Sequence, residues 1–305
     1  MSIAISGSSI TFPDLTQMST ATGGSFRNRI INGDMRIDQR NAGASQTFTA
    51  AAALAYSVDR FYGYCTGANA TGARVAGTAP NEFAYRFTGA ASVTAIGFGT
   101  RLEATNTIDL AGSTATLSVQ LANSLLTTVT WTAFYATTAD AFGTLASPTR
   151  TQIATGTFTV TSTLTTYSAQ ISVPSAATTG IEIVFTVGAQ TSGTWTIDNV
   201  QLEAGSSATE FERRPIGTEL ALCQRYFQKY TNVYQNGAFW TNTELMYGTL
   251  LPVQMRGTPT ATLSNVSSGT AGGHSVTATH IRYLTINGHT TIGGYTFDFD
   301  LAIEL

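Results

Sequence analysis

WTIDNVQLEAGSSATEFERRPIGTELALCQRYF, residues 195–227, decides how this chain divides. Trp195, Ile197 and Asn199 alternate with Thr196, Asp198 and Val200, the period-two spacing of a strand half-buried on a pleated surface. Ala204 to Ala208 holds a glycine and two serines, too little apolar area to offset the ordering of its backbone, and reads as a loop leaving a finished domain. Glu210, Glu212, Arg213 and Arg214 then arrive together before Pro215. In a chain with only 11% charged residues such a cluster reads as a solvated boundary. Thr218 is an N-cap candidate for a short helix over Glu219-Leu220-Ala221-Leu222-Cys223, after which aromatic, strand-like sequence resumes. The boundary between domains therefore falls near residue 214. Because charged and aromatic residues follow the small-residue tract within a few positions, a rigid junction is expected rather than a flexible linker.

Outward from this stretch, 305 residues exceed what one hydrophobic core usually holds, which points to two domains. Threonine, serine, alanine and glycine stand where charges would be. With 43% hydrophobic and 10% aromatic residues, that suits an all-β chain of many short strands and small-residue turns. A net charge of −3 lacks the basic footprint of a nucleic-acid binder. Ser2, Ser6, Gly7, Ser8 and Ser9 interrupt Ile3, Ile5 and Ile10, so no secretory signal is read at the start, and no stretch approaches the ~20 apolar residues of a membrane helix. Cys65 and Cys223 share no CxxC or Cys/His spacing and read as two buried free thiols.

Short strands are predicted at Tyr56–Tyr62, Glu82–Phe87, Thr114–Leu121, Val129–Tyr135, Gly156–Val160, Tyr167–Val173 and Ile181–Val187. Ile30 and Ile31 lead into the turn Asn32-Gly33-Asp34, and Met35 and Ile37 alternate after it, as opening strands would. Beyond the boundary, strands are predicted at Tyr226–Tyr234, Ala238–Met246, Gly248–Met255, Ala261–Val266, His280–Ile286 and Tyr295–Leu305. Asn236-Gly237, Gly272-Gly273, Asn287-Gly288 and Gly293-Gly294 are read as the turns between them. The apolar face of Phe297, Phe299 and Leu301 must be covered by this domain's own sheet or by a second subunit. As a late edge strand it would favour symmetric association.

Several phrases carry a resemblance. FRNRIINGDMRIDQRNAG (Phe26 to Gly43) together with Ile197-Asp198-Asn199-Val200-Gln201-Leu202-Glu203 resembles the opening and closing strands of a carbohydrate-binding-module-like jelly roll. ITFPDLTQMSTA (Ile10 to Ala21), VQLEAGSSATEFERRPIGTELALCQRYF and LLPVQMRGTPTATL (Leu250 to Leu263) are similar to phrases of bacteriophage tail-fibre and virion appendage proteins. The N-terminal phrase has Asp14-Leu15-Thr16 where those proteins usually have Asp-Gly-Thr. The resemblance implies an N-terminal attachment segment (residues 1–25) that joins another virion protein. After it come a jelly-roll β-sandwich (26–214) and a smaller C-terminal β-sandwich (215–305), in a homotrimer made without a signal peptide in the host cytoplasm. It implies a virion fibre that attaches to host surface glycan. The rival assignments are a head-fibre, decoration or spacer protein without receptor binding, and a tail-associated depolymerase.

Sugars lay C–H faces on aromatic rings while amides and guanidinium groups read their hydroxyls. The candidate contacts are Tyr234, Asn236, Phe239 and Trp240, taken as one distal hairpin, and Trp131 with Tyr135, which share a side of their strand. Tyr62 and Tyr64 likewise share a side. For each aromatic the competing assignment is a place in the core, and Trp195 is expected between the sheets. No cofactor is implied beyond a structural calcium ion, which by the jelly-roll resemblance would lie on Asp34 and Asp198; Asn199 stands where a second acid is common. His274, His280 and His289 offer a remote metal alternative. GxSxG, HExxH and GxxxxGK[ST] do not occur, and Glu82, Glu103, Asp109, Asp140 and Glu182 sit in no glycosidase-like motif. Surface or turn duty is expected of each, and no catalysis.

Overall fold

The computed structural model describes residues 26–51, 53–234, 248–267, 275–281 and 296–305 in full and, beyond these, the backbone of the strands named below. At the N-terminus β1 (Ala4–Ser6), β2 (Ser9–Thr11) and β3 (Gln17–Ser19) form a three-stranded antiparallel sheet. The side chains of the expected attachment segment lie outside the described residues.

Twelve strands then build two six-stranded antiparallel sheets: β4 (Gln46–Phe48), β5 (Ala55–Tyr56), β6 (Phe61–Thr66), β7 (Ala70–Ala76), β8 (Phe83–Thr88), β9 (Ala95–Leu102), β10 (Thr114–Asn123), β11 (Thr128–Ala136), β12 (Arg150–Thr159), β13 (Thr165–Ser172), β14 (Ile181–Val187) and β15 (Thr194–Ala204). One sheet runs β13-β10-β15-β8-β7-β4 and the other β12-β11-β14-β9-β6-β5, the face-to-face sandwich of a jelly roll. Trp195 sits fully buried between them, stacked on Phe87 at 5.4 Å, with Phe48, Phe98 and Phe185 around it in one continuous core.

Three predicted strands are not formed as such: Gly248–Met255 leaves its ladder at Leu250, where the strand Glu244–Leu250 ends, and the other two lie in this sandwich. Phe26–Gly43 is turns and irregular chain, because the Asn32 side chain replaces a ladder: its Oδ1 accepts from the Ile37 N–H and its Nδ2 donates to the Ile37 and Asp59 carbonyls. Ile30 and Met35 still plug the core. Gly33 is required there, since a Cβ would lie 2.1 Å from the Val200 carbonyl oxygen. Tyr56–Tyr62 is likewise no single strand but the turn joining β5 to β6, with Asp59 buried inside it.

α2 (Ile216–Gln224) starts three residues before the predicted N-terminus, with Pro215 rather than Thr218 in the cap position, where a missing N–H costs nothing; α1 (Ala104–Thr107) is a single turn. The chain then forms β16 (Phe227–Asn236), β17 (Phe239–Thr241), β18 (Glu244–Leu250), β19 (Thr260–Ser264), β20 (Thr270–Val276), β21 (His280–Asn287) and β22 (Gly294–Ala302). They make a three-stranded sheet, β16-β22-β19, and a four-stranded one, β17-β18-β21-β20. This smaller β-sandwich has its own core of Met255, Ile281, Phe297, Phe299 and Leu301. β22 is the middle strand of its sheet, so the edge argument for association does not apply, and Phe297, Phe299 and Leu301 on its apolar face are buried within the chain. Gly272-Gly273 lies within β20 and is not a turn. Residues 237 and 288–293, and with them the remaining predicted turns and His289, fall outside the described residues.

The charged cluster at the boundary is only partly solvated: Glu210 and Arg213 are exposed, but Arg214 is buried. Arg214 is 5% exposed, its guanidinium held by both Glu219 carboxylate oxygens at 3.1 and 3.3 Å and by the carbonyls of Ile30 and Asn28. Glu212 accepts the backbone N–H groups of Arg27 and Asn28. Further pairs tie the second sandwich to the first: Glu103 with Arg225 (3.1 Å) and Arg256 (2.9 Å), and Glu304 with Arg40 (2.5 Å) and Arg60. Arg60 also stacks on Tyr226, 3.5 Å from its ring centre.

Candidate functional site

Alternation along β6 turns Phe61 and Cys65 inward and Tyr62 and Tyr64 outward. On the neighbouring β9 the outward positions opposite them are Gly97 and Gly99. A Cβ on Gly97 would lie 2.1 Å from the Tyr64 ring, and one on Gly99 2.5 Å from the Tyr62 hydroxyl. The glycines therefore let both rings lie against the sheet. Tyr62 is fully buried; Tyr64 remains half-buried and presents ring surface.

Beneath them Glu182, fully buried on β14, takes the Tyr62 hydroxyl (2.5 Å) and the Arg101 Nε–H (2.7 Å) on one oxygen and Arg150 on the other. Arg150 in turn lies 4.1 Å over the Phe134 ring. Burial pushes the Tyr64 hydroxyl above its ordinary pKa against the pull of Arg150, so the group stays a neutral donor. The long β11–β12 connection folds over this face. Between it and β6 opens a groove of about 630 Å³ bordered by Ala53, Tyr64, Thr66, Thr144, Leu145 and Arg150. Its chemistry is an apolar ring face flanked by a guanidinium and hydroxyls.

The sequence candidates are distributed differently. Trp131 is 6% exposed and faces the core, packed near Phe158 and over Gly156, where a Cβ would come within 2.9 Å of the indole. Tyr135 packs half-buried against the same core. Alternation placed them correctly on one side, but that side is the inner one. Tyr234 is 61% exposed on β16. The side chains of Asn236, Phe239 and Trp240 lie outside the described residues. Their strands do not form the expected hairpin, because β16 pairs with β22 and β17 with β18 in separate sheets. The Gly97-Phe98-Gly99 run was the available sign of the Tyr64 face, since two outward glycines on one strand mark a close approach.

Asp34 and Asp198 are brought together, and Asp198 is pushed up to about 7 by burial, with Asp34 adding to the effect. A calcium ion takes six to eight oxygens. Here Asp34 faces Arg36 (2.6 Å), and the Asp198 oxygens accept the Asn199 N–H and the Asn81 Nδ2–H. Among the described residues no group of three or more acidic, histidine or cysteine side chains gathers. As arranged, this donor set does not fit the ion. Millimolar calcium should leave the melting temperature unchanged; a rise of several degrees reversed by chelation would show that calcium displaces Arg36. His280 bonds to Thr277 through Nδ1.

The carboxylates expected at the surface are partly internal. Glu103 and Glu182 are buried in ion pairs, Asp140 accepts the Ala104 N–H and meets Arg256, and Asp109 pairs with Arg29. In Glu103 burial alone would raise the pKa, but Arg256 and Arg225 outweigh it and hold the carboxyl below its usual range. Asp59 goes the other way: burial pushes it up to about 6 despite two bonds from Gln39. A raised folded-state pKa means tighter proton binding when folded. Its contribution to stability is thus complete below about pH 4 and lost, by roughly 3 kcal/mol, as pH rises to 6. A carbon-detected NMR titration should give Asp59 a midpoint near 6; one in the ordinary aspartate range would contradict the burial. Cys65 and Cys223 are both free and buried.

No protein-family model matches the chain, and no curated protein matches it. Among solved structures it is similar to one described as CBM4 (16% identity, TM-score 0.37, covering 58% of this chain and 99% of that one). It is also similar to TmCBM61 in complex with β-1,4-galactotriose (12% identity, TM-score 0.36, 59% and 100%). A third is the enzymatically active domain of bacteriophage CBA120 tailspike protein 4 (17% identity, TM-score 0.35, 58% and 21%).

Proposed function

We propose that this chain binds a surface glycan through the outer face of the β12-β11-β14-β9-β6-β5 sheet and, more finely, that it is a phage virion fibre attaching to its host. The observation that carries the reading is Tyr64 laid on Gly97 beside Arg150 at the rim of an open groove. A pyranose ring would set its C–H face on Tyr64 while Arg150 and the Thr66 and Thr144 hydroxyls meet its oxygens. The virion setting rests on the phrases at residues 200–227 and 250–263 quoted above. The expected assembly is a homotrimer, in which weak single sites gain by multivalency; sedimentation should give the mass of three chains.

Tyr64→Ala should weaken binding to the host polysaccharide by about tenfold or more, roughly 1.4 kcal/mol, with folding intact. Unchanged binding would exclude this face. The rival reading, a spacer without receptor binding, predicts that purified protein fails to bind cells at all. Release of oligosaccharide from the polysaccharide would instead indicate a depolymerase.

A further inference from the structure

The two sides of the first sandwich are finished differently. At one side its sheets stop at β4, three residues long, and β5, two residues long, edges too short to offer a ladder to another chain. At the other side they stop at β12, ten residues, and β13, eight residues. These two strands share one rim of the sandwich, which the rings of Phe158 and Tyr167 span at 5.4 Å.

An edge strand leaves part of its N–H and C=O groups unpaired and is normally defended by charge, proline, a bulge or a cover. β13, TTYSAQIS, pairs with β10 in unbroken register from Thr165 to Ser172 and contains no charged residue and no proline. β12, RTQIATGTFT, has one charge, Arg150, and that is turned onto Glu182. Its one bulge is at Ile153, which has no partner on β11; beyond it Ala154 to Thr159 run in unbroken register. Among the described residues nothing pairs with the outer side of either strand. The core is open at the same rim, where Ile153, Ala154, Tyr167 and Ala169 pack on it only half-buried.

A partner for this rim must bring an unpaired strand of similar length. It must also be nearly uncharged, because the rim holds no free charge to attract one. This chain meets both conditions itself, with two such strands side by side. Around a threefold axis β13 of each copy comes alongside β12 of the next, a heterologous contact that closes after three. We infer that the β12–β13 rim is the surface on which copies of this chain assemble, β13 of one copy adding a strand to the Ala154–Thr159 edge of the next and covering the half-buried Ile153 and Tyr167. The inference rests on the homotrimer expected above and names its interface. The pairing run leaves Arg150 and the Tyr64 groove, at the other end of β12, open to ligand.

The test uses the full chain and sedimentation at micromolar concentration. Thr157→Lys with Ser168→Lys places a like charge on each edge at exposed positions, and Thr47→Lys places one on the short β4 edge as a control. Wild type and Thr47→Lys should sediment as three chains and the double variant as one, all with the same circular dichroism. Peptides covering β13 should take up deuterium faster in the double variant than in wild type. A three-chain mass kept by the double variant overturns the inference and leaves the homotrimer standing. So does loss of assembly in Thr47→Lys as well, since added charge anywhere would then suffice. Any mass other than three chains for wild type overturns the homotrimer and this interface with it.

Discussion

Glu182→Ala should destabilise the first sandwich by about 3–5 kcal/mol, the usual result of leaving a buried charge without its partner. The carboxylate is fully buried in the middle of its sheet and is the acceptor for Tyr62, Arg101 and Arg150 at once. Removing it strands two guanidinium groups and a phenol hydroxyl, and opens a cavity beside β9 and β11. For a chain of this size each kcal/mol moves the melting temperature by about 2–4 °C, so a drop of roughly 10 °C is expected in calorimetry. Glu182→Gln keeps an acceptor for Tyr62 and Arg101 and should lose less. A change within ~0.5 kcal/mol would mean that water reaches this cluster.

Arg214→Ala should cost about as much, and its loss should appear at the junction. One guanidinium there satisfies Glu219 and the carbonyls of Asn28 and Ile30, joining the start of the sandwich to α2. Asn32 also donates its backbone N–H to Glu219, so releasing that carboxylate disturbs the turn that closes on Val200. Limited proteolysis reads the effect directly. Wild type should resist cleavage between Glu210 and Leu220, and Arg214→Ala should be cut there rapidly. Ready cleavage of wild type would show a flexible connection instead.

How far the sequence revealed this arrangement depends on the range of the forces involved. Ile181–Val187 coincides with β14, and the period-two pattern from Trp195 lies within β15, because both strands advertise themselves through their own residues. β7 and β9 do not. ATGARVA and AIGFGTRL are poor in large side chains because neighbouring rings fill the space: Tyr85 lies against Gly72, and Tyr62 and Tyr64 against Gly99 and Gly97. Among the charges of residues 210–214 it is Arg214 that the sequence misreads as solvated, because the partners that bury it include Asn28, 186 positions away. Period-two spacing grouped Trp131 with Tyr135 and Tyr62 with Tyr64, but it carries no sign. Only the packing of the second sheet decides that the first pair faces the core and the second faces out.

Hydrogen–deuterium exchange on the protein with and without the host polysaccharide tests the proposed contact most directly. The account predicts protection in peptides from β6, from β9 and from the β11–β12 connection around Thr144 and Arg150. Protection confined to the second sandwich around Tyr234, or none on the first sandwich at saturating glycan, would contradict it.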